Sequence, residues 1–275
     1  MATHEVRASG LEYLALATEL LQRARLADAE AGLWEAADLQ WWWRTPRRSD
    51  AVGHIFWIDD EGPVAGVVLT DWGRAWACDP IVVPGVSTVQ FPTVWARALE
   101  AINGLGLRAV EVLARDDDLE LQGLLAGAGF AADKYRSGIT WMHAPDRPNM
   151  AGLPEGFALV DRTGSTTRLH PMRRRSGDGV EARLMQCSLY DPELDFAVEA
   201  ADGPVAGYAL FWFDPVTEVG LLEPMRVEGA YQRRGLARAM LSAGLDRLAQ
   251  QGARRLKVGY ATDVARALYT GAGSR

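Results

Sequence analysis

The pentapeptide Gly-Pro-Val-Ala-Gly occurs twice in this chain, at 62–66 and at 203–207, an offset of 141. Two further matches follow in the same order. Gly106–Leu113 (G-L-R-A-V-E-V-L) corresponds to Gly252–Gly259 (G-A-R-R-L-K-V-G) at offset 146, and Gly127-Ala128-Gly129 to Gly271-Ala272-Gly273 at offset 144. A period near 140 is several times longer than a solenoid repeat and equals the length of an ordinary domain. The chain of 275 residues therefore reads as two copies of one folding unit. Pro145-Asp146-Arg147-Pro148-Asn149, polar and proline-rich, reads as the linker between them. This gives expected domains of 1–146 and 147–275.

Each copy has the same coarse pattern. Gly-Pro-Val-Ala-Gly follows acidic residues and precedes a β-branched and aromatic run, as expected for the tip of a hairpin. In the first copy a helix is expected from Glu12 to Ala27, with Leu14, Ala17, Leu20, Leu21 and Ala24 on one stripe. In the second copy, strands are expected at Phe196–Glu199, Val205–Phe213, Glu218–Val227 and Arg254–Tyr260. A helix of about Gly235–Gln251 buries Leu236, Met240, Leu241, Leu245 and Leu248. Strand, loop, helix and strand in that order make an α/β (α+β) mixed sheet with helices on its faces. Trp41, Trp42 and Trp43 cannot all face one core, so one or two are expected to line a groove or cover the other copy.

The connection from the Glu218–Val227 strand to its helix carries the chemistry. Gln232-Arg233-Arg234-Gly235-Leu236-Ala237 sets two cations where a helix dipole favours anions, so a negative group from outside the chain is expected there. Gly235 and Ala237 leave no bulk beside the first free backbone N–H groups, which suits a diphosphate. No Gly-Lys-Ser/Thr follows and the G-x-G-x-x-G spacing is absent, so neither a nucleotide-hydrolysing loop nor a dinucleotide fingerprint is indicated.

That loop, after a strand and before a long helix, resembles the acyl-CoA loop of the GNAT N-acetyltransferase superfamily. Ala265-Arg266-Ala267-Leu268-Tyr269 and the following Gly-Ala-Gly resemble that superfamily's second motif. The duplication resembles the mycothiol-synthase-like layout of its two-domain members. The resemblance implies two tandem GNAT-like domains, the first degenerate, and acetyl-CoA as co-substrate with no metal. It implies that Met225, Arg226 and Val227 offer main-chain groups to the pantetheine arm and acetyl carbonyl. Gln232, Arg233, Arg234, Gly235, Leu236, Ala237 and Arg238 would hold the pyrophosphate, and Tyr269 would protonate the departing thiolate. Thr262 stands where relatives have an asparagine that contacts the cofactor. Relatives also continue past Gly273 with further strands, so the second copy must leave a sheet edge uncovered, borrow a strand or be impaired. Glu223, expected to share a strand face with Met225 and Val227, is the candidate water-relayed base or acceptor anchor.

The function expected is acetyl transfer to a primary amine of a small molecule or peptide. The alternative is a non-catalytic acyl-CoA or small-ligand binding protein. Residues 1–150 hold 13 Lys+Arg against 21 Asp+Glu (net −8), leaving 16 against 15 (net +1) of the totals of 29 and 36. An acidic half disfavours nucleic acid as partner and favours a cationic acceptor. Cys78 and Cys187 lie far apart and the four histidines lack ligand spacing, which points to reduced core thiols, a cytoplasmic setting and no metal site. No apolar run has the length of a membrane span, so no membrane partner is expected.

Overall fold

The structure is a computed structural model that describes residues 3–163 and 169–274. It divides into two compact units, Met1–Lys134 and Tyr135–Arg275. Unit 1 runs β1 (His4–Ala8), α1 (Gly10–Ala27), α2 (Ala36–Trp43), β2 (His54–Asp59), β3 (Gly62–Asp71), β4 (Trp76–Val82), α3 (Phe91–Gly104), β5 (Val110–Glu111) and α4 (Leu119–Gly127). Its five strands lie in the order β1-β2-β3-β4-β5, antiparallel except for the parallel β4–β5 pair.

Unit 2 runs β6 (Gly138–His143), β7 (Phe157–Val160), α5 (Arg173–Ser176), α6 (Val180–Leu184), β8 (Asp195–Ala200), β9 (Val205–Asp214), β10 (Val219–Val227), α7 (Leu236–Gln250), β11 (Arg255–Tyr260) and α8 (Asp263–Gly271). Its six strands are ordered β6-β11-β10-β9-β8-β7, with β10–β11 the one parallel pair. Both units are thus mixed sheets flanked by helices, as the repeat required.

The boundary differs from the one expected near 146. Residues 138–143 do not close the first sheet; as β6 they pair antiparallel with β11, from Gly138↔Tyr260 to His143↔Arg255. Ala144 then donates its N–H to the Arg254 carbonyl at 2.9 Å, extending the same ladder. An open edge beside β11 leaves a row of backbone groups unmatched, and the nearest stretch of chain with strand propensity fills it. The sheet edge thus borrows a strand from the region between the repeats.

The repeated pentapeptide caps the same hairpin in both units, but its last glycine faces opposite ways. A Cβ on Gly66 would lie 2.9 Å from Leu20 Cδ2 of α1. One on Gly207 would lie 2.8 Å from the Arg226 carbonyl oxygen and 3.1 Å from Met240 Cε of α7. The hairpin connections differ in length, with β2 and β3 separated by two residues and β8 and β9 by four. Close approach of a helix to the sheet still requires a glycine at each place.

The three indoles depart from expectation in a different way. Trp41, Trp42 and Trp43 are all buried, at 6%, 9% and 5% exposure. A helix turns successive side chains through about 100°, so three neighbours can be buried only if the helix is enclosed. That is the case for α2, buried at every position. The Arg44 guanidinium covers the Trp41 ring at 3.3 Å, while Trp42 meets Trp34 at 4.8 Å and Trp72 at 5.4 Å, both edge-on.

Candidate active site

The site of unit 2 begins where two strands part. β10 pairs with β11 only from Val219↔Arg255 to Leu222↔Val258. Beyond Leu222 it continues to Val227 against β9 alone, so the far side of Met225–Val227 is not paired to β11. The register with β9 moves from Leu222↔Phe211 to Met225↔Ala209, three residues on β10 against two on β9. This is a β-bulge, and it lies at Glu223-Pro224, where proline removes a ladder donor. Glu223 therefore does not simply share a face with Met225 and Val227 as regular alternation would require. Its carbonyl accepts a 2.8 Å bond from the Trp212 indole N–H.

The loop after β10 carries the residues expected to hold an anion. Gln232 donates its side-chain amide to the Val227 carbonyl at 3.2 Å, tying loop to strand. Arg233 adopts φ +65° and Gly235 φ +84°, so the chain enters α7 through two left-handed residues. Gly235 occupies the N-cap with no side chain to satisfy the first-turn N–H groups, and that turn contains no acid. Ala239 N–H bonds the Gly235 carbonyl at 3.0 Å, the first bond of the helix. The N–H groups of Leu236, Ala237 and Arg238 stand ahead of it, without intrahelical acceptors. No atom lies within 4 Å of where a Gly235 Cβ would be, so the space over these groups is open. Arg233, Arg234 and Arg238 are exposed and have no acidic partner among the described residues. Arg234 lies 5.7 Å over the Tyr231 ring and 6.0 Å over Phe157. Leu236 differs from its neighbours, since its side chain is buried in the core and only its main chain faces the site.

Tyr269 on α8 is 8% exposed and belongs to the core of unit 2. Burial first, and the Glu223 carboxylate second, push its phenol up to about 12. The Glu223 carboxylate thus disfavours ionisation of the Tyr269 phenol. Thr262 is the N-cap of α8, its hydroxyl accepting from Ala265 N–H at 3.2 Å. That oxygen is already engaged in the fold. No metal-holding cluster occurs among the described residues, and no described helix is long and apolar enough to cross a membrane.

The corresponding place in unit 1 lacks the arginines and the N-cap glycine of this loop. Its β4 leaves β5 after Ala77↔Glu111. α3 starts from Gln90 with proline in its first turn, which removes one of the N–H groups an anion would use. The cavity of about 310 Å³ there is lined by Val82–Val86, Val89–Phe91, Asp118 and Glu120, with no basic side chain.

Sequence reasoning missed Tyr208, Arg174, Arg175 and Glu228, which gather beside Arg226 on the face of β9–β10 away from α7. The β9–β10 register sets Tyr208 beside Arg226, and Arg175 of α5 joins them through Glu228.

Residues 167–273 match the family model described as acetyltransferase (GNAT) family. No curated protein matches the chain. Among solved structures, it resembles a tandem GNAT protein from the clavulanic acid biosynthesis pathway, at 15% identity over 99% of this chain and 95% of that one, TM-score 0.69. It also resembles a GCN5-related N-acetyltransferase from Sphaerobacter thermophilus, at 16% identity over 99% and 92%, TM-score 0.62. A GNAT-family acetyltransferase from Colwellia psychrerythraea matches at 15% identity over 100% and 96%, TM-score 0.60. Likeness at these identities speaks for the fold, two mixed sheets in tandem.

Proposed function

Starting from a GNAT acetyltransferase domain over residues 167–273 within a tandem GNAT fold, we propose that the protein is an acetyl-CoA-dependent N-acetyltransferase whose cofactor site lies in unit 2. The observation that carries this reading is the left-handed turn at Gly235. It opens the first-turn N–H groups of α7 beside three unpaired arginines, next to the strand that β11 has released. A diphosphate suits that charge and those donors.

Acetyl-CoA supplies the activated acyl group as a thioester. The exposed main-chain groups of Met225–Val227 would orient the pantetheine arm and polarise the acyl carbonyl. A neutral acceptor amine forms the C–N bond as the C–S bond breaks. Glu223, through water, would take the amine's proton. The Tyr269 phenol stays protonated throughout the neutral range and would donate a hydrogen bond to the leaving sulfur. With its phenol at about 12, well above an ordinary thiol near 8.5, the tyrosine stabilises the thiolate more than it transfers a proton. Tyr269→Phe is expected to lower kcat about 10-fold at saturating acetyl-CoA, with the Kd for acetyl-CoA unchanged. Full turnover under chemistry-limited conditions would remove Tyr269 from the mechanism.

Unit 1 lacks the cradle, and the acids on its cavity repel phosphate. Calorimetry is therefore expected to give one acetyl-CoA per chain, and two sites would overturn the assignment to unit 2 alone. A binding-only role draws support from the burial of Tyr269 and the engaged Thr262 hydroxyl. Release of free thiol over an amine panel separates the two readings, since a binding protein releases none. Two buried free thiols, Cys78 and Cys187, fit the cytoplasmic setting proposed for it.

A further inference from the structure

Val227 pairs with Gly207, whose missing Cβ faces Met240 of α7, so Gly207, Ala209, Met225 and Val227 look toward α7. Arg226 pairs with Tyr208, and both look to the opposite face. There Arg175 of α5 donates to both carboxylate oxygens of Glu228, at 2.8 and 3.1 Å, and hydrogen-bonds Tyr208 as well. Arg226 Nε stands 3.6 Å from the same carboxylate, leaving its terminal nitrogens free of any acid among the described residues. The Arg175 hydrogen bond, then the charges of Arg175, Arg226 and Arg174, hold the Glu228 carboxyl below the usual carboxylate range against the opposing effect of burial. Three guanidiniums thus surround one carboxylate.

This surplus lies beside the reacting centre of the acetyl-transfer reading, because Arg226 stands between Met225 and Val227. With the pyrophosphate at the N-terminus of α7, an acceptor has to approach from the face away from α7. Two positive charges in excess on that face repel a cation and attract an oxyanion. We propose that the acceptor carries an anionic group, a carboxylate or phosphate, that docks on Arg226 and Arg174 beside the Arg175–Glu228 pair. The inference rests on the acetyl-transfer reading and names the substrate class of that site. Its sign is opposite to the cationic acceptor expected from the acidic first half, because the charge that matters is local to β10.

The test uses the full chain and three series of primary amines of matched length: n-alkylamines, ω-amino acids and aminoalkyl phosphates. Two readouts are taken: kcat/KM from thiol release, and the thermal midpoint with saturating CoA. At least one anionic series is expected to exceed the alkylamines about 10-fold or more in kcat/KM, and to raise the midpoint where the alkylamine does not. Arg226→Gln should collapse that ratio about 10-fold, Arg226→Lys should recover part of it, and Arg174→Gln should reduce it less. Which anionic series wins distinguishes carboxylate from phosphate. Alkylamines acetylated as well as both anionic series, or a preference that survives Arg226→Gln and Arg174→Gln, would overturn the inference while leaving acetyl transfer intact. Arg226-dependent binding of an anionic probe with no turnover of any amine would keep the anion site and sink the transfer. No midpoint shift and no turnover with any series overturns the inference.

Discussion

Gly235→Asp is expected to weaken acetyl-CoA binding at least ~100-fold while the protein stays folded. The space at the Cβ position is empty, so the substitution meets no neighbouring atom. Its costs are two. A non-glycine residue at φ +84° is strained by about 1 kcal/mol, although aspartate tolerates the left-handed region better than most. The larger cost is electrostatic, since a carboxylate beside the first-turn N–H groups both occupies them as a cap and repels the diphosphate. Two unit charges about 4 Å apart interact by about 4 kcal/mol at an effective dielectric near 20, more than the 2.7 kcal/mol that a 100-fold change needs. Gly235→Asn separates the terms. It has the same shape and the same backbone strain without the charge, and is expected to lose about 10-fold. Calorimetric Kd values for the three proteins check the ordering. An Asp variant that binds as tightly as the Asn variant would mean that no phosphate lies at this helix end.

The origin of this site was legible because its cause is local. Glycine entering a helix, flanked by arginines with no acid near, marks a helix start by local pattern alone, and Gly235 is the N-cap of α7 with Arg233 and Arg234 just before it. The strand before the loop was legible for the same reason, through its apolar run. What could not be read was anything set by register. The two-for-three pairing at Glu223-Pro224 turns a simple alternation into a bulge, and Pro224 inside an apparent strand was the hint available. The cluster of Arg175, Tyr208, Arg226 and Glu228 joins the β9–β10 hairpin to α5, with Arg175 reaching Glu228 from 53 residues away. No local pattern marks it.

The repeat located the two units but misassigned one strand, for a related reason. Pattern matching asks which copy a segment resembles, whereas strand pairing asks which edge is open. β6 follows the first copy in sequence and completes the second sheet in space. Likewise, three adjacent tryptophans argue against a one-sided core only if the helix is a surface helix, and α2 is enclosed.

Asp79→Asn is expected to stabilise unit 1 by about 2 kcal/mol at pH 8 and to lose that advantage by pH 4. Asp79 lies on β4, two residues beyond the last pairing with β5, and is 6% exposed. Oδ1 accepts the Trp34 indole N–H at 2.8 Å, while Oδ2 is buried without a hydrogen-bond donor. Burial pushes the carboxyl up to about 6, against the Trp34 bond that favours the charged form. The folded state therefore prefers the protonated acid. Below the unfolded value near 3.9 both states are protonated and the group costs nothing; as pH rises through 6 the folded state must hold a buried carboxylate. A shift of about 2 units corresponds to ~3 kcal/mol at most. The asparagine keeps an acceptor for Trp34 and removes the charge, but sets an amide NH2 where the unpartnered Oδ2 stood, which returns ~1 kcal/mol. Asp79→Ala should gain less than Asn, because it also strands the indole N–H. Eight of the ten tryptophans lie within residues 1–134, so denaturant melts followed by indole fluorescence report unit 1. A variant less stable than the parent at pH 8 would mean that a cation inside unit 1 compensates the carboxylate, and the burial account would fall.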